Sequence, residues 1–175
     1  MSQYMLRHIL SILLLPVMVT IVIPAFLVWQ TGQLSLGWGL SSPWNLVLIL
    51  AGLPFLLAGL TLVVQTIALF IQVGEGTIAP WDPTQKLVVR GPYHYVRNPM
   101  ISGVLSLLLA EALILGSAAL LTYFGFAAAV NMVYIPLSEE PGLLRRFGGE
   151  YALYRQHVPR WIPRLKPWDQ QAGDQ

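Results

Sequence analysis

Two polar clusters hold the side chains of this chain that are best suited to chemistry. The first is the stretch 86–103, which reads KLVVRGPYHYVRNPMISG and contains three of the ten Lys and Arg residues. The second is the acid pair Glu139 and Glu140. Cations bind carboxylates and phosphates through charge-assisted hydrogen bonds, and carboxylates bind ammonium groups or hydroxyls in the same way. Plainer roles are open too: Arg97 would anchor lipid headgroups, and the acids would stabilise a helix N-terminus.

Two prolines set the backbone of the first cluster. Pro92 fixes φ and has no amide hydrogen, so Gly91-Pro92-Tyr93 is a turn rather than a helix. Asn98 is pushed out of the helical region by the proline that follows, whereas Pro99 itself suits the first turn of a helix. We therefore predict a cationic loop that leads directly into an apolar helix.

The composition is that of a membrane protein. Apolar residues make up 55% of the chain, charged residues only 10%, and the mean hydropathy is +0.63. The chain has no Cys, which excludes disulfides and thiolate metal sites. His94 and His157 are far apart in the sequence and make a weak metal site, so we predict no metal. We expect membrane lipid as a partner and no nucleic acid.

Four apolar segments are long enough to cross a hydrocarbon core of about 30 Å. We predict an all-α integral membrane protein that forms one membrane domain over residues 1–175. Its predicted parts are four spans (about 8–29, 46–70, 100–115 and 118–137), a loop (72–99) and a tail (138–175). A cleaved signal peptide is the alternative for the first segment, but that segment is long and no small-residue cleavage site follows it closely.

The cations predict how the spans are oriented. In the four-span arrangement Arg7, the three cations of the loop and the six cations between Arg145 and Lys166 all lie on one side. This is the positive-inside pattern. We therefore predict a multi-pass protein with both termini, the loop and the tail in the cytoplasm.

The tail contains an amphipathic helical pattern. Its apolar and aromatic residues recur at helical spacing on one face, and these are Leu143, Leu144, Phe147, Tyr151 and Tyr154. Gly148-Gly149 weakens the middle of this helix, so a break is expected there. Two arrangements are open: an interfacial helix that lies on anionic lipid, or a lid that packs over the loop.

Several motifs of the second half occur in an order that is typical of a known family. They are Gly91-Pro92-Tyr93, Arg97-Asn98-Pro99 with Gly103, Glu139-Glu140, Phe147-Gly148, Tyr151, Tyr154, and Val158-Pro159-Arg160 with Pro163. This set resembles the isoprenylcysteine carboxyl methyltransferase family and the related phospholipid N-methyltransferases. The resemblance covers residues 85–167, and the first two spans contribute only hydropathy to it.

The resemblance implies an integral-membrane methyltransferase that uses S-adenosylmethionine without a Rossmann domain. By the resemblance, the donor lies in a cytoplasm-facing pocket between the loop, the ends of the last spans and the tail. The residues that it assigns to donor binding are Gln85, Lys86, Leu87, Val88, Tyr93, Asn98, Pro99, Glu139 and Glu140. Arg97, Asn98 and Glu140 are the residues predicted to serve catalysis. The acids would meet the ammonium group or the ribose, and Arg97 or Lys86 the carboxylate.

The acceptor side of the pattern departs from the prenylcysteine enzymes. Those enzymes have Arg-His-Pro followed by a Tyr two residues later, whereas this chain has Asn98 and then Ile101. They also have an Arg shortly before the acid pair, whereas residues 131–138 contain no cation. The predicted acceptor is therefore lipophilic, and an isoprenylcysteine-like carboxylate, a lipid amine and a thiol are all open, as are O-, N- and S-methylation.

Glu111 stands apart in the third span, eleven residues beyond Met100 and so about 16 Å into the membrane. An acid at that depth is costly and usually functional. A structural alternative is a protonated Glu111 that is hydrogen-bonded to Asn131 or Gln65. Two other functions follow from these observations: a non-catalytic membrane scaffold, or a small proton-coupled transporter that uses Glu111. The oligomeric state is open.

Overall fold

The computed structural model describes residues 13–73 and 86–168, and within these residues it contains helices and no strand. Arg7, Gln85 and the first part of the predicted first span lie outside the described residues. The helices are α1 (Leu13–Val22 with wide π-type turns, then Ile23–Thr31), α2 (Trp44–Val73), α3 (Pro99–Leu115), α4 (Ala118–Tyr134) and α5 (Glu140–His157). The short turns are Leu36–Gly39, Gly91–His94 and the π-type turn Ile135–Glu139.

The helices are those of a membrane protein. Three helical stretches are long and apolar enough to cross a membrane, namely Pro16–Gly39, Trp44–Gln72 and Ala118–His157. The fourth predicted span, α3, is a shorter apolar helix of 17 residues and about 26 Å. The prediction of an all-helical membrane protein is therefore confirmed. The crossing by α3 and the cytoplasmic position of the termini stay predictions.

Glycines bring α2 and α3 together in an antiparallel pair. A Cβ atom on Gly59 would lie 2.9 Å from the Gly103 carbonyl oxygen, and one on Gly52 would lie 2.6 Å from Cγ1 of Ile114. The early part of α2 thus faces the end of α3, and the later part faces its beginning. Small residues permit this close approach, which is how helices pack where apolar lipid removes the hydrophobic driving force.

The α3–α4 hairpin closes at one end of the molecule. Gly116 has a φ of 61°, and a Cβ atom there would lie 2.0 Å from the Ser35 carbonyl oxygen, so only glycine fits. Ser117 then caps α4 by accepting a hydrogen bond from the Leu120 amide. The loop after α1 packs on this turn through a 2.9 Å hydrogen bond from the Ser35 amide to the Leu115 carbonyl. Residues 30–45 and 116–117, which form this end, carry no charge.

The opposite end holds the cations that the structure describes, which all lie in residues 86–166. Here α4 ends at Tyr134, and the helical backbone continues through the π-type turn into α5, so the chain does not leave the helical conformation at the end of the predicted span 118–137. Pro136 lies in that turn. Proline has no amide hydrogen, and the wider winding accommodates the hydrogen bond that is therefore missing. The predicted break at Gly148-Gly149 is present, because Gly148 has a non-helical φ of 54° and ψ of −126°.

Candidate functional site

The site lies at the cation-rich end, where three segments meet. One is the segment 86–98 before α3, the second is α5, and the third is the extended chain 158–168 that follows α5. Backbone hydrogen bonds join the first and third segments: the Arg97 amide donates to the Pro159 carbonyl (2.9 Å), the Arg164 amide to the Tyr95 carbonyl (3.0 Å), and the Trp168 amide to the His94 carbonyl (3.0 Å). Of the two arrangements open for the tail, the structure has the one in which it packs on the loop.

An apolar cluster lies under this junction. Its buried members are Tyr151, Tyr154, Val158 and Trp168, and Leu87, Val89, Leu143 and Phe147 pack against them. The Tyr154 hydroxyl donates a 2.8 Å hydrogen bond to the Tyr93 carbonyl. The cluster therefore ties α5 and the C-terminal chain to the start and the middle of the segment 86–98. Leu144, predicted on the same face, is instead more than one third exposed.

Glu140 is the centre of a buried charge cluster at the start of α5. Its Oε1 lies 2.8 Å from Arg97 Nη1, and Arg160 donates to both carboxylate oxygens, from Nε to Oε1 at 2.7 Å and from an Nη atom to Oε2 at 2.8 Å. The residue is 2% exposed. Burial by itself would raise the pKa of Glu140, but the Arg160 hydrogen bonds and the nearby positive charges lower the pKa below its ordinary value.

Glu139 lies beside Glu140 and differs from it in environment. It is partly buried, and within residues 13–73 and 86–168 no hydrogen bond or ion pair engages its carboxylate. Burial raises the pKa of Glu139, and the negative charge of Glu140 raises it further. The two adjacent acids therefore differ: one carboxylate is held by arginines, and the other has no hydrogen-bond or ion-pair partner among the described residues.

Tyr93, Asn98 and Pro99 form the part of the site nearest to α3. All three are buried, and the Tyr93 ring packs against Phe70 at 5.9 Å between centroids. Burial, with Tyr154 and Glu139 nearby, raises the pKa of the Tyr93 hydroxyl, which is therefore neutral. Asn98 donates from Nδ2 to the Arg160 carbonyl at 3.3 Å, so this side chain helps to hold the C-terminal chain in place.

Arg97 has spare hydrogen-bonding capacity in the middle of the site. Its side chain is 9% exposed, and its Nε is buried with no hydrogen-bond partner among the described residues. The short contact of its Nη1 with Glu140 is an ion pair without hydrogen-bond geometry. An unsatisfied buried donor of this kind costs free energy unless a ligand or water meets it.

The structure brings most of the sequence-predicted residues together but not all of them. Val88 is buried and Leu87 packs on the apolar cluster, whereas Lys86 is exposed. Gln85 lies outside the described residues. The sequence analysis did not assign Arg160 or Trp168 to the site. Arg160 was present in the Val158-Pro159-Arg160 motif, which was a usable signal, but nothing in the sequence marked Trp168 as buried.

Glu111 lies well away from this cluster, in the last third of α3. Its Oε2 is buried and has no hydrogen-bond partner among the described residues. The suggested partners do not meet it there: Asn131 donates to the Ala127 carbonyl of its own helix at 2.8 Å, and Gln65 is exposed. Within the described residues there is also no group of three His, Asp or Glu side chains that could hold a metal ion.

Comparison with known proteins identifies one family. A family model described as phospholipid methyltransferase matches residues 47–150, which is more than half of the chain. The match takes in nearly all of α2, the whole of α3 and α4, and α5 as far as Glu150, and with them the segment 86–98 and both acids. No curated protein and no solved structure was found to match.

Proposed function

The chain belongs to the phospholipid methyltransferase family, and on that premise we propose that it is an S-adenosylmethionine-dependent membrane methyltransferase acting on a lipophilic acceptor. The main observation behind the proposal is that the family match covers most of the polar cluster that forms the candidate site. The matched residues include Tyr93, Arg97 and Asn98 on one side of the cluster and Glu139 on the other. Residues 158–168, which complete the cluster, lie beyond the match.

The side chains present fit the polar groups of the proposed donor. S-adenosylmethionine carries a carboxylate, an ammonium group and a ribose, and it supplies a methyl group from its sulfonium when bound. Arg97, with its unpaired buried Nε, is suited to the carboxylate. Glu139, with no partner among the described residues, is suited to the ammonium group or the ribose hydroxyls. We propose that Lys86, Leu87, Val88, Tyr93, Asn98, Pro99 and Gln85 complete the donor site.

The role that we propose for Glu140 differs from the catalytic and donor-binding role that the sequence analysis predicted. Its carboxylate already accepts two hydrogen bonds from Arg160 and an ion pair from Arg97. We propose that it positions Arg97 rather than touching the reacting atoms. Methyl transfer is an in-line displacement, so catalysis by this chain consists mainly of orienting the partners and excluding water. The apolar cluster and the docked C-terminal chain would serve the second purpose.

We propose a lipid amine as the acceptor. The family description supports a lipid substrate, and residues 131–138 contain no cation with which to hold an acceptor carboxylate. An amine must lose a proton to be methylated. Equal transfer of a radiolabelled methyl group to prenylcysteine carboxylates and to aminophospholipids would contradict this choice, whereas transfer to aminophospholipids alone would support it.

The donor site is tested by calorimetric titration of the purified protein with S-adenosylmethionine and S-adenosylhomocysteine. We expect saturable binding that weakens about tenfold in Glu139→Gln, which corresponds to about 1.4 kcal/mol. Glu150→Gln is the matched control, because this acid lies in α5, eleven residues after Glu139, and is exposed. No saturable binding to protein shown to be folded would sink the proposal. Unchanged affinity in Glu139→Gln would remove this residue from the donor site.

A further inference from the structure

The C-terminal chain 158–168, which covers the site, exposes large apolar side chains on its outer surface. Leu165 is 99% exposed and Ile162 is 79% exposed, although the backbone around them is held in place. The anchors are the Arg97–Pro159, Arg164–Tyr95 and Trp168–His94 backbone hydrogen bonds described above, together with a 2.9 Å bond from Arg164 Nη1 to the His157 carbonyl. Two large apolar side chains are thus directed outward from an ordered turn.

The position of this turn places it at the boundary of the apolar part of the molecule. Asn98 and Arg97, which bond to the Arg160 and Pro159 carbonyls, directly precede Pro99, the first residue of α3. The helix α3 is apolar from its first turn and pairs with α2 along its length. The start of the chain 158–168 therefore lies beside the residues that directly precede α3, and the turn 161–167 is anchored four to five residues before the helix begins, at Tyr95 and His94.

The charges around the turn suit a negatively charged surface. Arg164 and Lys166 flank Leu165 in the sequence, and the exposed Arg155 precedes them. No acid occurs between Tyr151 and Trp168. Exposed apolar side chains flanked by cations are the pattern by which peripheral segments enter the headgroup region of anionic bilayers.

We propose that Ile162 and Leu165 insert into the anionic bilayer surface and that Arg164 and Lys166 meet the lipid phosphates there. The membrane would then hold the C-terminal chain against the segment 86–98. The inference concerns contact with lipid and does not depend on methyl transfer.

The test uses the absence of Cys, which makes any introduced cysteine unique. An environment-sensitive fluorophore is attached to Leu165→Cys in the full chain, reconstituted into vesicles of phosphatidylcholine alone or with phosphatidylglycerol. Because this side chain is almost fully exposed, the label leaves the anchoring contacts in place. We expect quenching by lipids that carry a nitroxide on the acyl chain, at least about twofold stronger in the anionic vesicles.

Gln156→Cys is the control position, because residues 155–157 are polar and exposed. A label there is expected to be quenched by aqueous iodide instead. Lys166→Gln in the Leu165→Cys background should reduce the difference between the two vesicle compositions. Equal iodide quenching at both positions would overturn the proposal. Protection of Leu165→Cys that rises with the ratio of protein to lipid would also overturn it, because a second copy of the chain would then be the occupant.

Discussion

The adjacent acids Glu139 and Glu140 look equivalent in the sequence and differ in the structure. Glu140 is buried with Arg97 and Arg160, whereas Glu139 has no ionic partner among the described residues. Breaking a buried ion pair by removing one partner is strongly destabilising, because it leaves an uncompensated charge. We therefore predict that a substitution of Glu140 acts mainly on folding, whereas a substitution of Glu139 acts mainly on ligand binding.

Arg160→Ala is expected to destabilise the protein by about 1.5–3 kcal/mol, because it removes two hydrogen bonds to a buried carboxylate. The measurement is thermal unfolding in detergent, followed by intrinsic fluorescence. Arg145→Ala is the matched control, since Arg145 is exposed on the same helix as Glu140. Equal stability of the two variants would show that the cluster contributes nothing to folding.

The lowered pKa of Glu140 predicts how stability depends on pH. Ionised Glu140 contributes stability that is fully present above the ordinary value of 4.5 and is lost as the pH falls through the lowered value. The difference in melting temperature between the natural protein and Glu140→Gln should therefore shrink as the pH falls below about 4.5. Burial raises the pKa of Glu139 in both proteins, so this group is already largely protonated below pH 4.5 in each of them and contributes little to the change there. A difference that stays constant to pH 3 would contradict the prediction.

The helix α5 is bent where the packing of its two halves requires it. Gly148 has a positive φ and a ψ of −126°, a conformation that residues with a Cβ atom rarely adopt. The bend lies between Phe147 and Tyr151, which both contact the apolar cluster. Because a Cβ atom on Gly148 would meet nothing within 4 Å, the cost of substitution there is conformational alone.

Gly148→Ala is expected to cost about 1–3 kcal/mol in stability and to weaken the docking of the C-terminal chain. Gly149→Ala is the matched control, because its Cβ atom would also meet nothing within 4 Å and its backbone is helical. Thermal unfolding and protease sensitivity of residues 158–168 are the measurements. Equal behaviour of both variants would mean that the bend is not needed.

Within residues 13–73 and 86–168, one end of the molecule carries no charge and the other end is rich in cations. The first is built from the loop after α1 and the α3–α4 turn, and the second from the segment 86–98, α5 and the C-terminal chain. If the positive-inside rule applies to this arrangement, the second end faces the cytoplasm.

Single cysteines in this cysteine-free chain test the topology. Ser41→Cys and Gln156→Cys are exposed positions at the two ends. With a membrane-impermeant thiol reagent applied to intact cells, we expect Ser41→Cys to be labelled at once and Gln156→Cys only after permeabilisation. Labelling of both without permeabilisation would contradict the prediction that the ends lie on opposite sides.

Much of the architecture followed from local signals. Hydropathy and length predicted the apolar helices, Pro99 and Gly116 predicted the limits of α3 to within a residue, and Gly148 predicted the bend in α5. Such features depend on backbone sterics and on the solvent preferences of neighbouring residues, which the sequence contains. The order of the motifs likewise indicated the family that the comparison later identified.

The tertiary structure alone decided which polar residues meet. Arg160 reaches Glu140 across twenty residues, and Trp168 bonds to His94 across more than seventy. No periodicity encodes contacts at such separations, because they arise only when the chain after α5 folds back over the segment 86–98. The same folding back gave adjacent acids different surroundings, and hence different pKa values, since a pKa depends on burial and on the charges that the fold brings near.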